Sequence, residues 1–152
     1  MSLPVILLVD DDEDYLLIAG RAIQREEVRA DIRVLKNGQE VLAYLGLDGS
    51  GTDPDARPAN LVAAFVDLNL PGLNGWELLR RIRADERLRE LPVIVVSSSA
   101  RASDVRQSYD LGANSYVVKR YDPSGPGRYL ARAIRYWTEL NCVPDSVAAS
   151  ST

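Results

Sequence analysis

A doubly wound α/β fold, five parallel strands alternating with five helices as (βα)5, is predicted by three observations. Five short apolar runs recur through the chain, each bounded by turn residues. The stretches between them carry apolar residues at helical spacing. The longest runs, such as Val5–Val9 and Ala63–Val66, are apolar at every position, as strands buried on both faces of a parallel sheet must be.

Taken in order, Val5–Val9 is the first strand and leads into Asp10, Asp11, Asp12, Glu13 and Asp14. Leu16, Ala19, Gly20 and Ile23 then predict a helix from about Asp14 to Arg25, with acids suited to the positive end of its dipole. Asp31–Leu35 is a short strand with Ile32 and Val34 alternating. Asn37–Gly38 turns the chain into a helix over Glu40–Leu45, with Val41, Leu42 and Leu45 inward. Residues 48–60 (DGSGTDPDARPAN) are too polar and too rich in Gly and Pro to bury a face, so a surface loop is expected. Ala63–Val66 is the central strand, closed by Asp67, and a loop punctuated by Pro71, Gly72, Asn74 and Gly75 precedes a helix to about Arg87. Pro92–Val96 is the fourth strand, ending in Ser97–Ser99. A weaker helix over Ser103–Leu111 has only Val105, Tyr109 and Leu111 to bury, with Ser103 as its expected N-cap and Gly112 closing it. Ser115–Val118 is the fifth strand, followed by Lys119. The last helix, about Pro126–Leu140, places Leu130, Ala133, Ile134 and Trp137 on one face and Arg128, Arg132 and Arg135 on the other. From Val143 a frayed tail is expected.

Composition bounds the function. The 152 residues are 46% hydrophobic and 26% charged, ordinary for one globular domain. A formal net charge of −4 argues against non-specific nucleic-acid or anionic-membrane binding. The chain has no histidine, which removes a Ser-His-Asp triad, a His-based metal site and a phosphohistidine of its own. One cysteine, Cys142, leaves no intramolecular disulfide and fits a reducing cytoplasm. No run approaches the ~20 apolar residues of a membrane helix, and the apolar start lacks the basic flank of a signal peptide.

Asp10–Asp11, Asp67, Ser97 and Lys119 all stand where strands end. In a parallel sheet those ends share one edge, where α/β sheets place their ligands. Two carboxylates ~4 Å apart repel by about 4 kcal/mol at an effective dielectric near 20. Three acids against one lysine therefore call for a raised pKa or a bound cation. Oxygen ligands without imidazole or thiolate indicate a hard ion, and Mg²⁺ is the expected one. A carboxylate nucleophile flanked by Mg²⁺ and an ammonium group suits phosphoryl chemistry.

In ILLVDDD, VDLNLPGLNG, VIVVSSS and SYVVK the chain resembles a bacterial response-regulator receiver domain, with similarity from Val5 to Trp137. Within that family it is most similar to the single-domain regulators that partner bacterial phytochromes. That likeness lies in the long Gly/Pro loop with Arg57–Leu61, the DLNLP wording, and a final helix carrying Tyr136–Trp137 and leading to Cys142–Val143–Pro144. The resemblance implies a flavodoxin/CheY-like sheet, with a receiver domain over 1–141 and a C-terminal extension over 142–152. It implies Asp67 as phosphoacceptor, Asp11 as direct metal ligand, Asp10 acting largely through water, and the Asn69 carbonyl completing the protein's share of the Mg²⁺ shell. Ser97 and Lys119 would pair with the phosphoryl group, Tyr116 would be the aromatic switch, and Asn69 and Ser99 would tune the phosphate lifetime. A cytoplasmic histidine kinase, a bacteriophytochrome, is the implied donor. The family usually has Lys-Pro with a cis peptide after the fifth strand; here Arg120 follows Lys119, leaving that bond's geometry and the loop to Gly127 open.

Each assignment has a plainer rival. Ser97 could be only a strand-end cap, Tyr116 plain core, and Lys119 a surface charge. Asp12, Glu13 and Asp14 are assigned to helix capping. Output is expected through a homodimer on the last helix and its extension, with Tyr129, Tyr136, Trp137 and Val143 as its apolar surface; the rival is that Trp137 closes the monomer core. The chain is expected to catalyse nothing beyond its own phosphorylation and dephosphorylation. An alternative is a small Mg²⁺-dependent aspartyl-phosphate phosphatase or phosphotransferase. Against it, Asn69 stands where such enzymes carry a general acid. A metal-independent adaptor on the same fold is a third reading.

Overall fold

The structure, a computed structural model, describes residues 2–49 and 59–144. Most of the expected 48–60 loop, with Arg57 and Pro58, and the tail beyond 144 lie outside the described residues. Strands β1 (Val5–Val9), β2 (Asp31–Leu35), β3 (Leu61–Asp67), β4 (Val93–Ser97) and β5 (Ser115–Val118) form one sheet in the order β2-β1-β3-β4-β5. Every pairing is parallel. The order reverses between β1 and β3, so the crevice between their carboxyl ends is where this architecture opens to a ligand.

The all-apolar strands have two cores to feed. Leu7, Val9, Ala64, Val66, Val93 and Val95 face helices α2 (Gly38–Tyr44) and α3 (Gly75–Ala84) through Val41, Leu42, Leu45, Leu78, Leu79 and Ile82. Ile6, Leu8, Phe65, Ile94 and Val96 face α1 (Glu13–Arg25) and α5 (Arg128–Arg135) through Ala19, Leu130 and Ile134. Burying one such side chain in full stabilises by roughly 1.5–3 kcal/mol, and this two-sided burial holds the strand ends in register. On the edge strand β2, Val34 is 44% exposed, so the alternation there does not mark a buried face.

Several helix ends differ from expectation for local reasons. The Asp12 carboxylate accepts from the Asp14 and Tyr15 amides, so α1 starts at Glu13. Asn37 is an N-cap, accepting from the Glu40 amide, and α2 therefore begins at Gly38. Helix α3 stops at Ala84 because Asp85 turns to an extended conformation and caps a separate 3-10 turn, Glu86–Leu88. Helix α4 (Ala102–Asp110) has Arg101 at its N-cap with no side-chain cap bond; Ser103 is exposed within the first turn and does not cap. Tyr109 is 48% exposed, and the residue α4 buries is Ser108. Helix α5 starts at Arg128, after Gly127 takes a left-handed φ of 74°. A Cβ on Gly127 would lie 3.1 Å from Ile18 Cγ2 and 3.2 Å from Ala22 Cβ, so glycine also lets α5 close on α1. The chain then continues as a π turn, Tyr136–Leu140. No described peptide bond is cis, so Lys119–Arg120 is trans.

The expected apolar surface of the last helix needs correction. Val143 is only 7% exposed and offers no such surface, because its own chain covers it. Tyr129 and Trp137 are half-buried against the α1/α5 core, with Tyr136 edge-on to Trp137 at 5.1 Å. Tyr136 (47%) and Leu140 (73%) are the exposed apolar residues of this end.

Candidate functional site

The site is assembled at the carboxyl edge of the sheet. Asp10 follows β1 and is 1% exposed; Asp67 ends the neighbouring strand β3 and is 6% exposed. Asp11, next to Asp10, reaches solvent. Carboxylate oxygens of Asp10, Asp11 and Asp67 lie within 4.8 Å of one another. The Asp10 Oδ1 accepts from the Asp12 amide at 2.9 Å, and the Asp67 Oδ1 accepts from the Asn69 amide at 3.1 Å. Their free oxygens share one cation: Lys119 Nζ stands 2.7 Å from Asp10 Oδ2 and 3.2 Å from Asp67 Oδ2. Lys119 reaches this point because β5 pairs with β4, its amide donating to the Ser97 carbonyl at 2.7 Å.

The electrostatics follow from burial with too few cations. Burial pushes the Asp10 carboxyl above its ordinary range; the Lys119 hydrogen bond and the Asp12 amide pull it down, and Asp67 pushes it up further. Burial works to lower the Lys119 amine as well, but the Asp10 hydrogen bond and the charges of Asp67 and Asp10 outweigh it and hold its pKa above the usual lysine value. Both shifts are consistent with excess negative charge in a partly dry pocket. An all-oxygen trio of acids with one ammonium group fits a divalent hard cation.

The loop after β3 is held close to the acids. A Cβ on Gly75 would stand 2.5 Å from the Asp67 carbonyl oxygen and 2.8 Å from Leu68 Cα, so glycine is required there. The other expected residues fall on the neighbouring strands. Ser97 is fully buried, one residue beyond the Val96 that pairs with Asp67. Its Oγ accepts from the Ser99 amide at 3.1 Å. Ser99 in turn donates from Oγ to Asp104 Oδ2 at 2.5 Å, and its carbonyl accepts from the Tyr116 hydroxyl at 2.8 Å. Ser97, Ser99 and Tyr116 thus meet around one loop between β4 and α4. Asn69 is exposed at the mouth.

Tyr15 and Asp104 escaped the sequence reading, and Trp76 gains a partner. The Tyr15 ring lies under the Lys119 ammonium, 4.2 Å from its centroid, and its hydroxyl is 3.1 Å from that of Tyr129. Trp76 Nε1 donates to Ser108 Oγ at 3.0 Å, and Asp104 holds Ser99. An aromatic one residue from Leu16 on an amphipathic helix reads as core, so the periodicity carried no sign of Tyr15.

Residues 6–125 match the response regulator receiver domain family. The methanogenesis regulatory protein FilR2 of Methanothrix harundinacea, so described as probable, is 32% identical over 92% of this chain and 87% of its own length. Response regulator Rcp1 of Synechocystis is 29% identical over 92% of each chain. Among solved structures, the bacteriophytochrome response regulator RtBRR is 34% identical, with a TM-score of 0.69 covering 98% of this chain and 89% of its own. RPA3017, described in red light signaling of R. palustris, is 28% identical with a TM-score of 0.78, covering 93% and 99%. The Mn(2+)-bound form of Rcp1 is 25% identical with a TM-score of 0.73, again covering 93% and 99%. With that family match spanning most of the chain, and with buried acids and a lysine gathered at the sheet edge, this protein is a member of the response regulator receiver family, whose general function is to accept a phosphoryl group on aspartate from a histidine kinase.

Proposed function

We propose that Asp67 is the phosphoacceptor of this chain. The observation that carries the reading is the buried Asp67 carboxylate, with one oxygen held by the Asn69 amide at 3.1 Å and the other by Lys119 at 3.2 Å, beside two further acids. In the transfer, a carboxylate oxygen of Asp67 attacks phosphorus in a donor's phosphohistidine. The phosphorus–nitrogen bond breaks and its electron pair returns to the imidazole, leaving an acyl phosphate. Lys119 stays near the oxygens that gain charge. The incoming group adds roughly −1.5 to −2 charges. Ser97 would turn toward it, and the Ser98–Arg101 loop, with Tyr116 bonded to the Ser99 carbonyl, would follow.

Mg²⁺ is the metal we assign. Asp11 and Asp67, with Asp10 through water and the Asn69 carbonyl, would hold it, and it would supply countercharge to the transferring oxygens. The Mn(2+)-bound relative supports a divalent ion here. Asn69 and Ser99 are assigned to tuning the phosphate lifetime. The phytochrome-associated relatives support a bacteriophytochrome kinase as donor in the cytoplasm. We read the chain as a switch and not a turnover phosphatase, because Asn69, two residues past Asp67, cannot give and retake a proton. For output we propose a homodimer on the Tyr136–Trp137–Leu140 end of the receiver domain, supported by the exposure of Tyr136 and Leu140.

The test is phosphate incorporation from acetyl phosphate with Mg²⁺. The wild-type chain should gain acid-labile phosphate and Asp67→Asn none; undiminished labelling of the variant would overturn the assignment. Light scattering of the phosphorylated chain with and without residues 138–152 tests the dimer, which a monomer in both cases would refute.

A further inference from the structure

The Lys119 ammonium has three donors and two carboxylate partners. Its remaining face rests on the Tyr15 ring, 4.2 Å from the centroid. The next residue repeats the arrangement: the Arg120 guanidinium lies over the Tyr129 ring, 5.6 Å from its centroid. The two tyrosines meet through their hydroxyls at 3.1 Å. Lys119, Tyr15, Tyr129 and Arg120 thus form a closed ring, completed by the backbone between the two cations. Both tyrosines are anchored. The Tyr15 amide donates to Asp12 Oδ1 at 3.2 Å, and the Tyr129 amide to Asp122 Oδ2 at 3.0 Å.

We propose that Tyr15 is a positioning residue for phosphoryl transfer, its ring, tethered through the Tyr129 hydroxyl, holding the Lys119 ammonium over the Asp10 and Asp67 carboxylates. The proposal rests on the reading of Asp67 as phosphoacceptor. A lysine side chain has four rotatable bonds and a strongly hydrated head; two acids alone leave it free to swing toward water. An aromatic face beneath it closes that route and attracts the cation through the ring quadrupole. Burial, reinforced by the Tyr129 hydroxyl, holds the Tyr15 phenol pKa far above its usual value, so Tyr15 keeps its hydroxyl proton in the tether. The tether also joins the first turns of α1 and α5 to the acids, so the same ring ties the site to those helices.

The full-length chain supplies two readouts. The first is the rate of phosphorylation by phosphoramidate with Mg²⁺. Tyr15→Leu should slow it roughly 3–10-fold, the scale of a half-buried cation–π contact, and Tyr15→Phe and Tyr129→Phe should slow it less. In a Lys119→Gln background Tyr15→Leu should add nothing, since the ring then has no ammonium to hold. The second is amine acetylation read by mass spectrometry, favoured because Lys36 and Lys119 are the only lysines. Lys119 should be modified several-fold faster in Tyr15→Leu than in the wild type, with Lys36 as the unchanged control. Should Tyr15→Leu fail to fold, Tyr15→Phe and Tyr129→Phe carry both measurements. Equal Lys119 acetylation across these proteins, or rate losses that simply add to that of Lys119→Gln, would overturn the proposal. A wild-type chain that takes up no phosphate while Lys119 is protected would instead overturn the Asp67 reading, and the transfer role with it.

Discussion

Trp76, in the first turn of α3, donates its indole N–H to Ser108 Oγ in α4 at 3.0 Å, and Ser108 passes the bond on to the Asp104 carbonyl at 2.8 Å. Ser108 is the one residue of α4 that is fully buried. This helix is therefore held on the domain more by hydrogen bonds than by apolar packing, and such elements sit at the low-stability end of a fold. Asp104 also accepts from Ser99 at 2.5 Å, which connects the β4–α4 loop to the same helix.

If the Ser97–Ser99 loop follows a phosphoryl group on Asp67, the indole environment changes. Tryptophan emission should shift when acetyl phosphate and Mg²⁺ are added to the wild type. It should not shift in Asp67→Asn, and Trp76→Phe should remove the signal while leaving that of Trp137. Trp76→Phe should also cost about 1 kcal/mol, read as lower amide protection in α4 by hydrogen exchange. A full response in Trp76→Phe would break the link between the loop and this helix.

Gly75→Ala should damage both fold and site. The added methyl would meet backbone atoms of Asp67 and Leu68 at 2.5 and 2.8 Å, which cannot rotate away as a side chain could. A loss of about 1–3 kcal/mol is expected for such overpacking, measured as a lower urea midpoint. Phosphate incorporation should fall further than the stability loss explains.

Removing the shared cation should expose the cost of the acids. Lys119 and Asp10 side chains are 17% and 2% exposed. Breaking a buried pair of this kind costs about 3–5 kcal/mol, so Lys119→Met should lower the urea midpoint markedly in chelator. Added Mg²⁺ should recover more stability in the variant than in the wild type, as expected of a cation that would bind only the folded state and replace the missing charge. Equal recovery in both proteins would mean that the three acids do not act as one metal site.

Acid stability should depend on Asp85. Its carboxyl is held below the ordinary 3.8, chiefly by the Arg87 side-chain hydrogen bond; Arg87 Nη2 reaches Asp85 Oδ2 at 3.0 Å. A depressed folded pKa contributes stability that is complete above 3.8 and is lost as pH falls through the lower folded value. Asp85→Asn should flatten that acid limb in a pH series of thermal melts and leave the profile above pH ~5 parallel to the wild type. An unchanged acid limb would show that the pair is too solvated to matter.

Local sequence determined where the strands lie and which reactive groups close them. An all-apolar run ending in Asp or Ser is a nearest-neighbour pattern, and Asp67, Ser97 and Lys119 could be placed at one sheet edge from it alone. The reading failed where burial depends on what packs from elsewhere. Ser103 looked like a cap, but the chain turns at Arg101; Tyr109 looked inward, but the space beneath α4 is taken by Ser108 and Trp76; Val143 looked like surface, but it is 7% exposed. Only the tertiary structure decided that β1 and β3 are neighbours, which gives Asp10 and Asp67 a common lysine. It also decided that Tyr15 and Tyr129, 114 residues apart, meet beneath that lysine. Strand order and helix docking are set by the balance of long-range burial across both faces of the sheet, and no short stretch of sequence encodes that balance.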